Sequence, residues 1–518
     1  MNLRWLIEDQ VQRNPEKPFI FFKDRTYTYA QMDRVVNRIA HAFLSLGIKA
    51  GDRVAIMLPN CPEFLFTWFG LAKIGAVEVL VNTQLKGTFL RHQLETGESR
   101  VVVVGEPFQE NFVAVHPGLG HLRQVVFLGQ EKKPNLAGGE GLSFWDWIQS
   151  FPDRNPPEFE IKEDHPLSIM FTSGTTGPSK GVLNGQKAYL RCGEDCAKYL
   201  GLTSEDRCYV VLPLYHGNPQ MMAVMTALWV GGSLVMSERF SASRFLTEVR
   251  RYGATYFTYV GTILTTLCKQ PEKPDDRKHF LRLGFGGGAP KDVWQTMENR
   301  FGVRIYEAYG MIEAGCVTSV NRQTVYRFGS MGIPRDCLEI RIADGKDEEV
   351  SRGSSGEIHV RPREPFVMFD GYFGLPELTL AAYRNLWFHT GDRGRMDNNG
   401  FVYFEGRVKN TIRRKGENIS PEAIENILNA YPKVAESAVV GVRDEVAGEE
   451  IKAFIIPKPG EDFSPEEIIA WCREGLPEFM IPRYIEFRQE FPKTGSEKIQ
   501  KYKLIQEQDG ETWDRMKK

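Results

Sequence analysis

The sequence predicts an α/β protein, with a large N-terminal domain of helix-covered β-sheets followed by a small α+β C-terminal domain. Three observations lead there. Up to about residue 400, short apolar β-branched runs alternate with longer amphipathic stretches, the pattern of sheets covered by helices. The 518 residues exceed one ordinary domain, and 42% hydrophobic with 25% charged residues is the balance of a globular protein with ample core. Past residue 409 the pattern changes to strongly marked helix starts separated by two strand-like runs. Domains of 1–408 and 409–518 are therefore expected.

In order along the chain, strand-like runs cover 53–58, 99–104, 124–128, 167–172, 207–212 and 255–260. Helix-like stretches cover 61–74, 186–200 and 242–252, the last closed by Gly253. Residues 132–141 read as a surface loop by composition. In the C-terminal part, Ser420-Pro421-Glu422 places a capping hydroxyl, a proline at the first helical position and an acid in the first turn. Ser464-Pro465-Glu466-Glu467 adds the glutamate of a capping box, and 434–442 and 451–456 read as strands.

Charge and cysteine usage narrow the function. A net charge of −2 gives no global field toward nucleic acid or an anionic membrane. The first fifteen residues mix Arg4, Glu8, Asp9 and Arg13 among apolar ones, unlike a secretory signal or transit peptide. No run of about 18 uncharged apolar residues appears, so no integral membrane segment is expected. The eight cysteines form no CxxC pair; Cys192 and Cys196 share a helical face, and buried free thiols are favoured over a metal site. A cytoplasmic protein is expected.

The most informative segment follows the run 167–172. Ser173-Gly174-Thr175-Thr176-Gly177-Pro178-Ser179-Lys180-Gly181 combines glycines, whose backbone can press N–H groups against phosphate oxygens, with the hydroxyl donors of Ser173, Thr175 and Thr176 and the cation of Lys180. It is a phosphate grip but not a Walker loop, because no Ser or Thr follows the lysine. A plain surface turn has no need of three hydroxyls and a lysine.

From Thr172 onward the pattern T-S-G-T-T-G-x-x-K-G resembles the phosphate loop of the adenylate-forming superfamily, which includes acyl-CoA synthetases, peptide-synthetase adenylation domains and luciferases. Eight such positions coincide by chance on the order of 10⁻¹⁰ per start. Other elements resemble the superfamily in order along nearly the whole chain. The resemblance implies a small barrel-like subdomain in the large domain and a mobile C-terminal domain. It also implies that Thr172, Ser173, Gly174, Thr175, Thr176, Gly177 and Lys180 hold the ATP phosphates, Thr176 with a catalytic role.

Leu212-Pro213-Leu214-Tyr215-His216 resembles the aromatic-histidine element beside the acyl pocket and implies a catalytic-site role for His216. Gly286-Gly287-Gly288-Ala289-Pro290 resembles the segment along the adenine, with Gly288, Ala289 and Pro290 as contacts. A strand-to-helix turn explains those residues equally well on their own. Tyr306-Glu307-Ala308-Tyr309-Gly310-Met311-Ile312-Glu313 resembles Y-G-x-T-E, implying Tyr309, Gly310 and Met311 at the nucleotide and Glu313 as the Mg²⁺ ligand. Ile312 stands where a threonine is usual. Trp387-Phe388-His389-Thr390-Gly391-Asp392 resembles W-x-x-T-G-D, with Asp392 on the ribose hydroxyls and Arg407 a further contact.

Lys409 falls at the family's hinge. After the basic run Arg413-Arg414-Lys415 comes Gly416, and the resemblance puts Lys415 and Gly416 by the coenzyme A channel. Pro492-Lys493-Thr494-Gly495-Ser496-Glu497-Lys498-Ile499 resembles P-K-T-x-S-G-K-I. Lys498 aligns with the lysine bridging substrate carboxylate and ribose oxygen; Glu497 replaces a glycine.

The reaction implied is AMP-forming ligation of a carboxylic acid to coenzyme A through an acyl-adenylate, with ATP, Mg²⁺ and coenzyme A as cofactors and a homodimer possible. Asn60–Phe64 with Ala72–Ala76 resembles the carnitine/crotonobetaine-CoA ligase branch. Phe240–Phe245 with Lys415–Ser420 is similar to the fatty-acid-transport, very-long-chain acyl-CoA synthetase branch. A medium or long fatty acid, or a carnitine-like acid, is the expected substrate. Two alternatives stand beside it: loading of a carrier-protein phosphopantetheine, and a catalytically weak protein that binds nucleotide or acyl-adenylate.

Overall fold

The computed structural model describes residues 1–129, 135–136, 139–172, 179–408, 412–414, 417–419, 421–444, 448–476, 478–493, 499–506 and 511–517. The chain forms two compact units. The first comprises Met1–Ile340, Val360–Leu386 and Gly400–Val402; the second comprises Arg341–His359, Trp387–Asn399 and Tyr403–Lys518. The second unit thus takes in segments that precede the expected boundary at 409, and Lys409 itself lies outside the described residues.

Two large sheets organise the first unit. One has nine strands, with Arg207–Val210, Tyr256–Val260, Leu283–Gly287 and Arg304–Tyr309 running parallel to one another. The other has eight, with Pro166–Phe171, Val77–Leu80, Arg53–Met57, Val101–Gly105 and Gln124–Leu128 in parallel succession. Parallel strands are covered on both faces, which is why runs such as Val101–Gly105 and Gln124–Leu128 are almost wholly apolar. Helix Pro62–Lys73 is buried at every position, as befits a helix apolar nearly all round. Its last residue, Lys73, is enclosed with its ammonium bonded to Asp33, Asn37 and Asn155, so the buried charge is paired.

The expected elements fall close to their places: Pro166–Phe171 for 167–172, Gln186–Leu200 and Ala242–Tyr252 as read, and Gly253 at φ 64° closing the latter. The loop expected at 132–141 is corrected in part. Asn135–Leu136 and Gly139–Glu140 pair antiparallel, a local hairpin that composition does not reveal.

In the second unit, strand Trp387–Met396 is hydrogen-bonded to Ser355–Pro362 and to Val402–Arg407. A six-stranded sheet carries Val434–Asp444 on Gly448–Pro457, and helices Pro421–Asn429 and Pro465–Gly475 contribute to its core. Ser464 and Glu467 form the reciprocal capping box expected of them. Ser420 lies outside the described residues. Among the described residues, no helix is long and apolar enough to cross a membrane.

Candidate active site

Strand Pro166–Phe171 and its antiparallel partner Gly181–Gly185 bracket the glycine-and-hydroxyl loop. The loop's mouth is tied twice: Thr172 N–H donates to Lys180 O at 3.0 Å, and Lys180 N–H donates to Thr172 Oγ1 at 3.3 Å. Ser173, Gly174, Thr175, Thr176 and Gly177 lie outside the described residues.

At this mouth the Lys180 ammonium sits 4.2 Å from the centre of the Tyr372 ring. The Tyr372 hydroxyl donates to Glu313 Oε1 at 3.1 Å. One tyrosine therefore joins the loop lysine to the expected metal-binding carboxylate. Burial, with the charge of Glu313 behind it, pushes the Tyr372 hydroxyl's pKa up, so it stays a donor. The segment 313–372 is knotted together by the backbone as well, with Phe369 N–H donating to Glu313 O at 3.0 Å.

Met311, Ile312, Glu313 and Ala314 make a tight turn after strand Arg304–Tyr309. Gly310 is required there, because a Cβ would lie 2.0 Å from Cys316 O. Below the turn, Arg335 is fully buried; its Nε donates to Asp195 at 2.8 Å and its Nη1 to Gly315 O and Val317 O. Tyr309 is buried, with its carbonyl accepting from Thr318 N–H at 2.7 Å. Ile312 is half-buried in the main core of this unit, its Cδ1 2.9 Å from the point a Gly217 Cβ would occupy. It thus packs beside His216, whose ring lies 4.5 Å from that of Tyr215.

Gly288, with φ 86°, and Ala289 offer both backbone N–H groups to one oxygen of Glu307, at 2.5 and 3.0 Å. The other oxygen accepts from Tyr259 OH at 2.6 Å. Burial pushes the Glu307 carboxyl up to about 7 against these three donors. Pro290 opens helix Lys291–Thr296, as its sequence position suggests.

In the second unit Asp392 is buried on strand Trp387–Met396, and Arg407 Nε reaches its Oδ1 at 2.7 Å. The turn before it is held by Glu357, which accepts from Gly391 N–H at 2.9 Å, and by Thr390 Oγ1, which donates to Ile358 O. Arg414 is paired with the buried Glu450 at 2.8 Å. Lys409, Lys415, Gly416 and Lys498 lie outside the described residues.

The structure thus links Lys180 with Glu313, and Asp392 with Arg407. Sequence reasoning missed Tyr372, Glu307 and the Arg335–Asp195 pair. Of these only Glu307, inside the Y-E-A-Y-G run, carried a signal.

Fold and site together define an α/β enzyme that handles a nucleotide. Comparison with known proteins narrows the class. A family model described as AMP-binding enzyme matches residues 7–373, and one described as AMP-binding enzyme C-terminal domain matches residues 423–498. The chain belongs to the AMP-binding enzyme family. It is 34% identical over 516 residues to a crotonobetaine/carnitine–CoA ligase of Salmonella arizonae, covering 97% of this chain and 98% of that protein. Among solved structures it resembles an anthranilate CoA ligase in complex with anthranoyl-AMP, at 27% identity and TM-score 0.89 over 98% of this chain and 97% of the other. It also resembles the o-succinylbenzoate CoA synthetase of Bacillus subtilis bound to its acyl-adenylate, at 26% identity and TM-score 0.84 over 98% and 99%.

Proposed function

We propose that this chain, an AMP-forming acid–CoA ligase, activates a carnitine-like or fatty carboxylic acid, and that the groups gathered at residues 172–180, 313 and 372 hold the nucleotide for that step. The meeting of Lys180 and Glu313 at Tyr372 carries the assignment of roles. A lysine and an acid at one loop mouth suit a triphosphate and its cation, whereas a structural turn has no use for both. Full-length similarity to a crotonobetaine/carnitine–CoA ligase supports a carnitine-like acid ahead of a long fatty one.

Two carboxyl-bearing steps are involved. A carboxylate oxygen displaces pyrophosphate from the α-phosphorus of ATP; the thiol of coenzyme A then displaces AMP from the acyl carbonyl. The repulsion between carboxylate and triphosphate is the obstacle in the first step. Lys180 offsets it by placing positive charge at the loop mouth, and the loop's backbone and hydroxyl donors fix the phosphates. Magnesium fits the donors present. It favours a carboxylate with phosphate oxygens and water, so Glu313, oriented by Tyr372, would hold the ion, which supplies charge neutralisation. Asp392 accepts from the ribose hydroxyls, and Arg407 orients that carboxylate.

Lys498 bridges the substrate carboxylate and the ribose, and a pivot at Lys409 separates the two half-reactions. Lys415 and Gly416 line the coenzyme A side. The cytoplasm, where eight free thiols persist, is the proposed compartment.

The test is a panel of acids (crotonobetaine, carnitine, butyrate, octanoate and palmitate) read by pyrophosphate release and by coenzyme A-dependent AMP formation. Turnover with the first two sustains the carnitine-like assignment, and turnover with palmitate alone replaces it by the fatty one. Lys498→Ala is expected to lose pyrophosphate release while retaining thioester formation from supplied acyl-AMP. Equal loss of both half-reactions removes the role given to Lys498.

A further inference from the structure

Away from the nucleotide groups, the second unit gathers Asp347, His359 and His389, the one set of three His, Cys, Asp or Glu side chains among the described residues whose ligand atoms lie within 4.8 Å of one another. His389 stands on strand Trp387–Met396, and His359 on the neighbouring strand Ser355–Pro362. Their rings lie 3.8 Å apart centre to centre. Asp347 belongs to a surface turn, yet its side chain is only 17% exposed and brings Oδ2 to 3.8 Å from His389 Nε2. Behind the pair, Glu357 Oε2 is 3.3 Å from His389 Nδ1 and 3.4 Å from His359 Nε2.

We propose that Asp347, His359 and His389 form a binding site for one divalent late transition-metal ion of the zinc type, with Glu357 as the carboxylate that orients the histidines. Two imidazole nitrogens and one carboxylate select zinc, nickel or copper over magnesium, which requires oxygen ligands throughout. Ligand atoms around a tetrahedral ion sit roughly 3.4 Å apart, so the 3.8 Å between Asp347 and His389 closes with a small shift. A carboxylate on the far nitrogen of a metal-binding histidine is the usual way of fixing ring and tautomer, and Glu357 is placed so for His389.

A competitor is built in. Arg341 Nε donates to His359 Nδ1 at 3.3 Å, and its guanidinium lies 4.5 Å from the Trp387 ring. An ion on His359 needs a lone pair that this bond occupies or the tautomer it prevents, so metal and guanidinium exclude one another.

The site adjoins the ribose element. His389 directly precedes Thr390-Gly391-Asp392, and Glu357 also accepts from Gly391 N–H at 2.9 Å. Loading it therefore braces the turn that carries Asp392.

The experiment uses the full chain, stripped with a chelator and titrated with zinc alone against a chromophoric chelator, then with cobalt alone for its visible d–d absorption. One zinc per chain is expected, unaffected by excess magnesium, with a rise in Tm on binding. Asp347→Asn and His389→Gln weaken it at least about tenfold, whereas Arg341→Gln tightens it. Glu313→Gln leaves stoichiometry and affinity unchanged. Because His389→Gln could disturb the adjacent turn, Asp347→Asn with an unchanged metal-free Tm is the deciding variant. Failure to take up zinc, uptake indifferent to Asp347→Asn, weakening by Arg341→Gln, or loss in Glu313→Gln each overturns the proposal.

Discussion

Two arginine–aspartate pairs of almost equal length do different work in this molecule. Arg335 and Asp195 meet at 2.8 Å with side chains 0% and 1% exposed; Arg407 and Asp392 meet at 2.7 Å with side chains 48% and 3% exposed. The first arginine also donates from Nη1 to the carbonyls of Gly315 and Val317, so both partners are committed to the fold. The second arginine is half in solvent and can yield. The same ion pair is scaffolding when sealed and a ligand-ready carboxylate when one partner stays wet.

Removing the sealed partner should have the largest effect. Arg335→Met takes away the buried cation that meets Asp195 at 2.8 Å, leaving Arg191 at 3.5 Å, and frees the turn at 311–317. Losing one member of such a pair costs about 3–5 kcal/mol. Urea unfolding should show that loss, with residual activity falling because less protein is folded. A change below 1 kcal/mol would erase the distinction drawn between the two pairs.

Asp392→Asn tests the other side. Stability should move by less than about 1 kcal/mol, because its partner Arg407 is half in solvent and Asn keeps the shape of the buried side chain. Losing charge-assisted hydrogen bonds of about 1.5–3 kcal/mol should lower kcat/KM for ATP roughly ten- to a hundredfold. Equal loss for ATP and for the acid, at constant KM for ATP, would move Asp392 out of the ribose site.

Glu307 sharpens the comparison, as a buried acid held by three neutral donors, the N–H groups of Gly288 and Ala289 and the Tyr259 hydroxyl. Burial raises its pKa from the ordinary 4.5 to about 7. A carboxyl raised on folding stabilises the protein fully below 4.5, and that contribution is lost as pH climbs through about 7. The slope approaches 1.4 kcal/mol per pH unit within that window. Urea midpoints measured from pH 4.5 to 8 should fall over this range, and Glu307→Gln should flatten that portion of the profile. An unchanged profile in the variant would assign the titration elsewhere.

What the sequence disclosed follows the same divide. The strand running into the loop, read at 167–172 and found at 166–171, and the capping box at Ser464 are local, written within a few residues, and were legible; the returning strand 181–185 was not. Asp392 and Arg407 were named from the resemblance, and one hairpin brings the two side chains together. Tyr372 was not: it sits 59 residues from Glu313, in a two-residue strand without periodicity, and nothing in its neighbours marks it. Nor was the Arg335–Asp195 pair, whose members are 140 residues apart. A buried ion pair looks like two surface residues until the fold brings them together. Local chemistry is readable from the chain, whereas the partner that orients it is supplied by topology.

The smallest expected effect concerns Ile312, and it has the opposite sign from the others. In the resemblance on which the site was read, a threonine at this position donates its hydroxyl to the α-phosphate; here the side chain packs against Gly217, beside His216. Threonine lacks the Cδ1 that makes this contact but keeps the Cγ2 methyl, and the side chain is only half-buried, so Ile312→Thr should leave Tm within a few degrees. A restored neutral hydrogen bond is worth about 0.5–1.5 kcal/mol, which predicts a roughly two- to tenfold faster pyrophosphate release and no gain in thioester formation from supplied acyl-AMP. A slower first half-reaction would mean that the Ile312–Gly217 contact shapes the acid's own cavity, so that this chain exchanged a phosphate donor for a fitted wall.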